Sequence, residues 1–215
     1  MSLDVKICGL STPETLDAAV TAGARWVGFV AYPPSPRHID TATLATLGAR
    51  VPGSVGRVLL SVDADDALLA ERIATGVVDL LQLHGAESPA RVAAIRQRFG
   101  KPVMKVAKVA SASDIDSVIR DFGGIADRLM FDAAGGVLPG GNAQSFDWRL
   151  LAGVTIPRPW MLAGGLTAAN VAEAARISGA TTLDVSSGVE SARGVKSAAL
   201  IRAFIAAAQG RGGTT

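Results

Sequence analysis

The chain has 215 residues, of which 49% are hydrophobic and 19% charged, with a formal net charge of +2 and a pI near 9.0. This composition excludes a largely disordered chain, and the length fits one domain with a single core. The basic pI does not indicate a nucleic-acid partner, because the cations are spread along the chain without a block of like charges or a basic stripe with interleaved aromatic residues.

Targeting and redox signals predict a cytoplasmic protein. The N-terminus has no basic region leading into a hydrophobic segment, and no apolar run reaches the length of about 18 residues that a membrane helix needs. The single cysteine, Cys8, excludes an internal disulfide and fits a reducing compartment. His38 and His84 have no metal-ligand spacing. We therefore expect no metal, membrane or nucleic-acid partner.

In chain order, short β-prone runs alternate with longer Ala- and Leu-rich patterns of helical period. Strands are predicted near residues 4–8, 26–31, 55–62, 78–83, 102–107, 127–132, 159–163 and 181–186. Helices are predicted near residues 13–23, 41–50, 65–75, 87–98, 112–122, 146–152, 167–178 and 196–209. This alternation predicts an α/β protein, a single (β/α)8 TIM barrel over residues 1–209 with its active site at the C-terminal face. Residues 210–215 are predicted to form a flexible tail.

A doubly wound open sheet is the alternative fold. That fold usually has fewer strands and carries a glycine signature after its first strand. Here the corresponding segment, Cys8-Gly9-Leu10-Ser11, contains no Gly-x-Gly-x-x-Gly. The barrel is therefore favoured.

Two glycine-containing corners in the last quarter of the chain resemble phosphate sites. The run Leu183–Glu190 ends a predicted strand in Ser187 and Gly188, and the run Trp160–Thr167 ends another in Gly164 and Gly165. A helix that begins at such a corner presents unpaired N–H groups to an anion. A TIM barrel binds a phosphorylated ligand at the corners that follow strands 7 and 8. A plain turn is the alternative for either corner alone.

Strand alternation sorts the side chains into two faces. In a barrel the apolar face packs under the helices, so the polar face points inward. The residues predicted to point inward are Lys6, Cys8, Gln82, His84, Asp132, Asp184 and Ser186. Most of them lie at carboxyl ends of strands, which is the catalytic face of this fold.

Cys8 and Asp132 form a candidate base and acid across the mouth of the barrel. Lys6 shares a face with Cys8 and is expected to favour its thiolate. An isomerase that moves protons needs such a pair. The alternatives are that Cys8 is a small buried hydrophobic residue and that Asp132 only caps a turn.

Two further side chains are candidates for binding a ligand. His84 is placed to donate a hydrogen bond, although a histidine satisfied by backbone at a helix entry is equally consistent with the sequence. Arg37 follows three prolines, and a stiff loop presents its guanidinium fork in a fixed pose to a carboxylate or phosphate. A solvated surface arginine is the alternative.

The chain resembles the phosphoribosylanthranilate isomerase family of tryptophan biosynthesis over nearly its whole length. The motifs that carry the resemblance occur in order: Lys6-Ile7-Cys8-Gly9, Gly28-Phe29-Val30, Ser35-Pro36-Arg37, Gln82-Leu83-His84-Gly85, Phe131-Asp132, Phe146-Asp147-Trp148, Ala163-Gly164-Gly165-Leu166 and Asp184-Val185-Ser186-Ser187-Gly188-Val189-Glu190.

The resemblance implies a cofactor-free Amadori rearrangement of N-(5-phosphoribosyl)anthranilate, a small phosphosugar that carries an anthranilate. Asp132 matches the general acid that opens the furanose ring, and Cys8 matches the general base that removes the C2 proton. Arg37 matches the residue that binds the anthranilate carboxylate. The family implies supporting roles for His84 and Asp184, and phosphate binding at the corners with Gly164, Gly165, Ser187 and Gly188. We expect a monomer.

Two positions depart from the family's pattern. The loop after the sixth strand has Ala143 and Gln144 in the segment where glycines and a lysine are usual, which puts loop closure in doubt. Ala31 stands where an aromatic residue is common.

Two other functions remain open from the residues alone. A different barrel enzyme that acts on a phosphosugar, such as a lysine-dependent aldolase, would use Lys105 or Lys108. A barrel that binds a phosphorylated metabolite without catalysis would make no use of Cys8 and Asp132.

Overall fold

Eight strands close into a barrel in the computed structural model, which describes residues 3–134 and 145–210. Each strand pairs in parallel with the next in sequence, and the last strand pairs with the first. The barrel strands are β1 (Asp4–Cys8), β2 (Trp26–Ala31), β3 (Gly56–Ser61), β4 (Leu80–Leu83), β5 (Val103–Val109), β6 (Arg128–Ala133), β7 (Trp160–Leu162) and β8 (Thr182–Val185). The predicted TIM barrel is confirmed, and the open-sheet alternative is wrong.

Seven α-helices among the described residues surround the barrel. They are α1 (Pro13–Ala22), α2 (Thr41–Ala49), α3 (Asp66–Ile73), α4 (Pro89–Phe99), α5 (Ala112–Phe122), α6 (Val171–Ser178) and α7 (Ala198–Ala208). Helix α4 shows how the sequence sets their ends. The Ser88 side chain accepts a hydrogen bond from the Arg91 N–H, Pro89 begins the helix, and Gly100 ends it in the left-handed conformation.

The predicted helix at 146–152 is wrong. A four-residue 3₁₀ turn, Trp148–Leu151, takes its place. The Asp147 side chain accepts from the Arg149 N–H at its start, Ala152 is already extended, and Gly153 has φ 75°. The segment between these ends is too short for a regular α-helix.

The two helices that follow also begin later than predicted. Helix α6 begins at Val171 because the side chain of Asn170 accepts from the Thr167 N–H and donates to the Gly165 carbonyl, which holds the preceding residues in a turn. After β8 a 3₁₀ turn (Ser187–Val189) leads into an antiparallel hairpin of β9 (Glu190–Ala192) and β10 (Val195–Lys196). This hairpin was not predicted, and it delays α7 to Ala198.

The barrel has two apolar layers, as the strand alternation predicts. Leu129 and Phe131 of β6 belong to the large core between strands and helices, whereas Met130 belongs to a second cluster inside the barrel. The buried residues of that inner cluster are Val58, Leu80, Met104, Val106, Met130, Met161 and Ala163. Because this layer fills the interior of the barrel, a ligand of this fold is expected at the mouth formed by the carboxyl ends of the strands.

Three segments lie outside the described residues. They are residues 1–2, residues 135–144 with the altered positions Ala143 and Gln144, and residues 211–215 of the predicted tail. None of the described helices has the length and apolar character that crossing a bilayer requires.

Candidate active site

The structure brings all nine predicted site residues to one cavity at the carboxyl ends of the strands. They are Cys8, Arg37, His84, Asp132, Gly164, Gly165, Asp184, Ser187 and Gly188. These residues come from β1, β6, β8 and the loops after β2, β4, β7 and β8. Parallel strands direct all their carboxyl ends to the same face, so residues far apart in sequence meet there.

Cys8 is buried at the end of β1 and lines the cavity. Burial raises the pKa of its thiol, because the interior disfavours the thiolate, and the nearby Asp184 carboxylate adds to this effect. Lys6 and Lys196 act in the opposite direction, but burial outweighs them. Lys6 thus favours the thiolate, as expected from the sequence, but burial keeps the pKa of the Cys8 thiol above its ordinary value.

Lys6 and Asp184 form a buried ion pair beneath Cys8. The Lys6 Nζ donates to Asp184 Oδ1 at 2.7 Å, and the Lys6 side chain is fully buried. Burial alone would lower the pKa of Lys6, but the charges of Asp184 and Cys8 raise it overall. Lys6 thus remains a cation, and Asp184 presents a fixed carboxylate to the cavity.

Asp132, at the end of β6, lies beside His84 in the wall of the cavity. Its Oδ1 accepts from the Ala133 N–H at 2.9 Å, whereas its Oδ2 lies 3.3 Å from His84 Nε2. The approach of Oδ2 to Nε2 lacks hydrogen-bond geometry, so His84 Nε2 is a buried atom without a partner among the described residues. His84 Nδ1 lies 3.2 Å from the Gln82 side-chain amide, which orients the ring. Because the two side chains are adjacent in the wall of the cavity, one ligand group could contact both.

Arg37 is not a solvated surface arginine. Its side chain is 8% exposed, and it makes a bidentate ion pair with Glu190, from Nε to Oε1 at 2.6 Å and from Nη2 to Oε2 at 2.8 Å. Burial opposes the ionisation of Glu190, but the hydrogen bond from Arg37 and the charge of Lys196 outweigh it and lower the pKa of Glu190 to about 2.

Lys196 of β10 is the third member of a charged group with Arg37 and Glu190. The sequence analysis did not identify Lys196 as a residue of the site. Its buried Nζ donates to Glu190 Oε1 at 2.7 Å and to the Ser186 carbonyl at 2.8 Å. The Ser186 hydroxyl in turn donates to the Cys8 carbonyl at 3.2 Å. A continuous set of polar contacts therefore runs from Arg37 to the backbone of Cys8. The carboxylate that ends the motif Ser187-Gly188-Val189-Glu190 was the only sequence signal for it.

The two glycine corners lie next to each other at the cavity. Gly164 and Gly165 adopt φ of 88° and 62°, and their N–H groups donate to no described residue. Ser187 and Gly188 begin the 3₁₀ turn after β8, where the first N–H groups have no acceptor within the turn. A side chain at position 188 would overlap the Leu166 carbonyl oxygen. At the corner after β8 a 3₁₀ turn stands where the sequence suggested the start of an α-helix. The candidate donors to an anion there are therefore the N–H groups of this short turn.

The lysines proposed for an aldolase are poorly placed. Lys105 donates to Glu87 Oε2 at 2.7 Å and to the Gly85 carbonyl at 2.6 Å, away from the residues that line the Cys8 cavity. Lys108 is exposed on β5. Neither amine lies at the described site where Cys8 and Asp132 meet, which disfavours Schiff-base chemistry.

The departure at Ala31 does not affect the cavity. Ala31 is 2% exposed and packs in the outer core between strands and helices, whereas its neighbours Val30 and Tyr32 line the cavity.

The chain matches the family model described as N-(5'phosphoribosyl)anthranilate (PRA) isomerase over residues 5–207. It belongs to this family. The N-(5'-phosphoribosyl)anthranilate isomerase of Rhodopseudomonas palustris (strain BisB18) is 56% identical over 212 residues, which cover 97% of each chain. That of Paramagnetospirillum magneticum (strain ATCC 700264 / AMB-1) is 54% identical and covers 98% of this chain and 99% of its own.

Solved structures of phosphoribosyl anthranilate isomerases share the fold. The enzyme from Thermotoga maritima superposes with a TM-score of 0.87 at 30% identity, covering 97% of this chain and 99% of its own. A second structure, with a TM-score of 0.82 at 29% identity and the same coverage, is a complex with reduced 1-(o-carboxyphenylamino)-1-deoxyribulose 5-phosphate. The resemblance seen in the sequence is confirmed, and the protein is an isomerase of tryptophan biosynthesis with a TIM-barrel fold.

Proposed function

We propose that the cavity rearranges N-(5-phosphoribosyl)anthranilate to 1-(2-carboxyphenylamino)-1-deoxyribulose 5-phosphate by general acid-base catalysis, with Asp132 as the acid and Cys8 as the base. The observation that carries this proposal is that both side chains line the same cavity, together with an arginine and two glycine corners. The complex of the related isomerase with the reduced product supports a phosphosugar ligand that bears a carboxyphenyl group.

Asp132 begins the reaction. A protonated carboxyl group there donates its proton to the furanose ring oxygen, the ring opens, and the amine nitrogen forms a Schiff base at C1. His84 supports this step because its Nε2 lies 3.3 Å from Asp132 Oδ2 and its ring is oriented by Gln82.

Cys8 completes the reaction. Its thiolate removes the C2 proton of the Schiff base, which yields an enamine that becomes the ketone of the product. The raised pKa of the thiol makes the thiolate scarce but strongly basic. The protonated Schiff base supplies the positive charge that acidifies the C2 proton, and the Lys6–Asp184 pair gives the cavity a fixed carboxylate close to that charge.

The two charged ends of the substrate are assigned to different groups of residues in the site. The guanidinium of Arg37 binds the anthranilate carboxylate, since it is a rigid fork that matches a carboxylate bidentately. The phosphate binds at Gly164, Gly165, Ser187 and Gly188, whose corners present backbone N–H groups to the cavity. This mechanism calls for no cofactor and no metal.

The test is a fluorescence assay with the substrate generated in situ. Loss of the anthranilate-type emission should be fast with the wild-type protein and about 10²- to 10⁴-fold slower with Cys8→Ala, the usual scale for a base. Equal rates for the two proteins would remove Cys8 from the mechanism. A folded wild-type protein without activity would contradict the proposed function and favour a non-catalytic barrel.

We also propose that the enzyme is cytoplasmic and monomeric. The lone cysteine supports a reducing compartment. Among the described residues only Val195 and Leu200 are large exposed hydrophobic side chains, which supports a surface without an extended apolar interface. Light scattering after size exclusion should give a mass near 21.9 kDa. A mass of about twice that value would contradict the monomer.

A further inference from the structure

Glu190 lies between two buried cations at the start of the β9–β10 hairpin. Its Oε1 accepts from Arg37 Nε and from Lys196 Nζ, and its Oε2 accepts from Arg37 Nη2 and from the Gly194 N–H. The side chains of Glu190 and Lys196 are 4% and 1% exposed. A carboxylate with every one of these contacts occupied is not available to a ligand as a base. Its contacts indicate that it orients the side chains of Arg37 and Lys196.

We propose that Glu190 is the positioning residue for Arg37, and that it sets the enzyme's preference for a ligand that carries a ring carboxylate. This inference rests on the proposed function, in which Arg37 binds that carboxylate. Glu190 itself does not touch the ligand.

The geometry of the guanidinium supports this role. An arginine has five N–H donors in a planar fork. Glu190 takes the Nε–H and one N–H of Nη2, which fixes the plane and rotation of the group. Among the described residues the other three N–H groups, on Nη1 and Nη2, have no hydrogen-bond acceptor, and Arg37 lines the cavity. The outer edge of the fork is therefore held ready for a second carboxylate.

The backbone around Arg37 leaves it little freedom to turn elsewhere. A side chain at Gly9 would come within 2.7 Å of Arg37 Cδ, and a side chain at Gly194 would come within 3.0 Å of Pro36 Cβ. Both glycines have positive φ, 81° and 83°. The loop after β2 and the β9–β10 hairpin are thus packed against each other, and the Arg37–Glu190 pair joins them.

The charge of the group favours an anion. Arg37 and Lys196 are two buried cations that share the single carboxylate of Glu190, so one positive charge is in excess. A buried excess charge attracts an opposite charge strongly because solvent does not screen it. A ligand carboxylate on the free edge of Arg37 would neutralise it. Without Glu190, Arg37 would keep its charge but lose its fixed direction, and a ligand would then have to order it on binding.

The test compares two ligands on the same protein. One is reduced 1-(o-carboxyphenylamino)-1-deoxyribulose 5-phosphate, and the other is the same molecule without the ring carboxyl. Titration calorimetry gives the ratio of their dissociation constants in wild type, Glu190→Gln and Glu190→Asp. The Asp variant keeps a negative charge between the two cations, which protects the fold, but its shorter side chain cannot keep the bidentate geometry that Glu190 makes with Arg37.

We expect both Glu190 variants to weaken binding of the carboxylated ligand on the order of 10- to 100-fold and to change binding of the other ligand less than about 3-fold. In an Arg37→Ala background, Glu190→Gln should have no further effect on either ligand. Asp79→Asn is the matched control, because Asp79 makes the same bidentate pair with Arg57 away from the cavity. Its ligand ratio should equal that of the wild type.

Equal weakening of both ligands would overturn the inference, because it would show a purely structural role for Glu190. Wild type offers an independent measurement, the hydrogen exchange of the Arg37 Nε–H by NMR. Slow exchange without ligand supports an arginine that Glu190 already holds, and fast exchange would also overturn the inference. A wild-type protein that binds neither ligand would instead refute the proposed function, and this inference with it.

Discussion

The protonation state of Cys8 can be tested directly, because the protein has a single cysteine. Burial raises the pKa of the thiol above its ordinary value of 9.0. At pH 7 most of the protein therefore carries the neutral thiol, and the thiolate fraction grows about tenfold per pH unit while the pH is well below the pKa.

The assay is the ultraviolet absorbance of the thiolate during a pH titration, with Cys8→Ala as the blank. Cys8 is the only cysteine, so the difference between the two proteins reports on it alone, and the blank removes the contribution of Tyr32. A second perturbation, Lys6→Met, should move the midpoint still higher. It removes a cation that favours the thiolate, and it leaves the nearby Asp184 carboxylate without its partner.

A midpoint below the ordinary value of 9.0 would refute the reasoning. It would mean that Lys6 and Lys196 dominate over burial and that the resting enzyme is poised as a thiolate. A midpoint that Lys6→Met leaves unchanged would show that the Lys6 charge does not reach the sulfur.

Three further outcomes follow from the site and its surroundings. Asp132→Asn should lower kcat about 10²- to 10⁴-fold with little change in affinity for the reduced product, and near-normal turnover would exclude Asp132 as the acid. Arg37→Ala should raise KM about 10- to 100-fold in steady-state kinetics, and an unchanged kcat/KM would contradict the carboxylate contact. Lys105→Met should lower the free energy of unfolding in urea by about 3–5 kcal/mol, because it leaves Glu87 buried without its cation. The exposed Lys108→Met is its control and should change that free energy by less than about 0.5 kcal/mol.

The barrel was predictable from the sequence because its signals are local. Each strand is a short β-prone run, and the alternation of apolar and polar residues along β6 is enough to assign Met130 and Asp132 to the interior. An inward-facing residue at the carboxyl end of a parallel strand lies at the mouth of the barrel. For that reason the cavity contains Cys8, Asp132 and Asp184, which the strand alternation assigned to the inner face.

What the sequence did not predict depends on contacts between distant segments. Arg37 and Glu190 are 153 positions apart, and only the folded chain brings the β9–β10 hairpin against the loop after β2. The direction of the Cys8 pKa depends on burial, which neither the charge of Lys6 nor its spacing reveals. The helix predicted at 146–152 is a 3₁₀ turn at Trp148–Leu151, because the turn geometry at Asp147 and Gly153 overrides the local helical pattern.

The identity of the product tests the central claim most directly. Substrate generated in situ is converted by the wild-type protein, borohydride is added, and the small molecules and the protein are analysed separately by mass spectrometry. We expect the small-molecule fraction to contain reduced 1-(o-carboxyphenylamino)-1-deoxyribulose 5-phosphate and the protein to carry no added mass. Free anthranilate as the only product, or a phosphosugar attached to a lysine of the protein, would contradict this expectation.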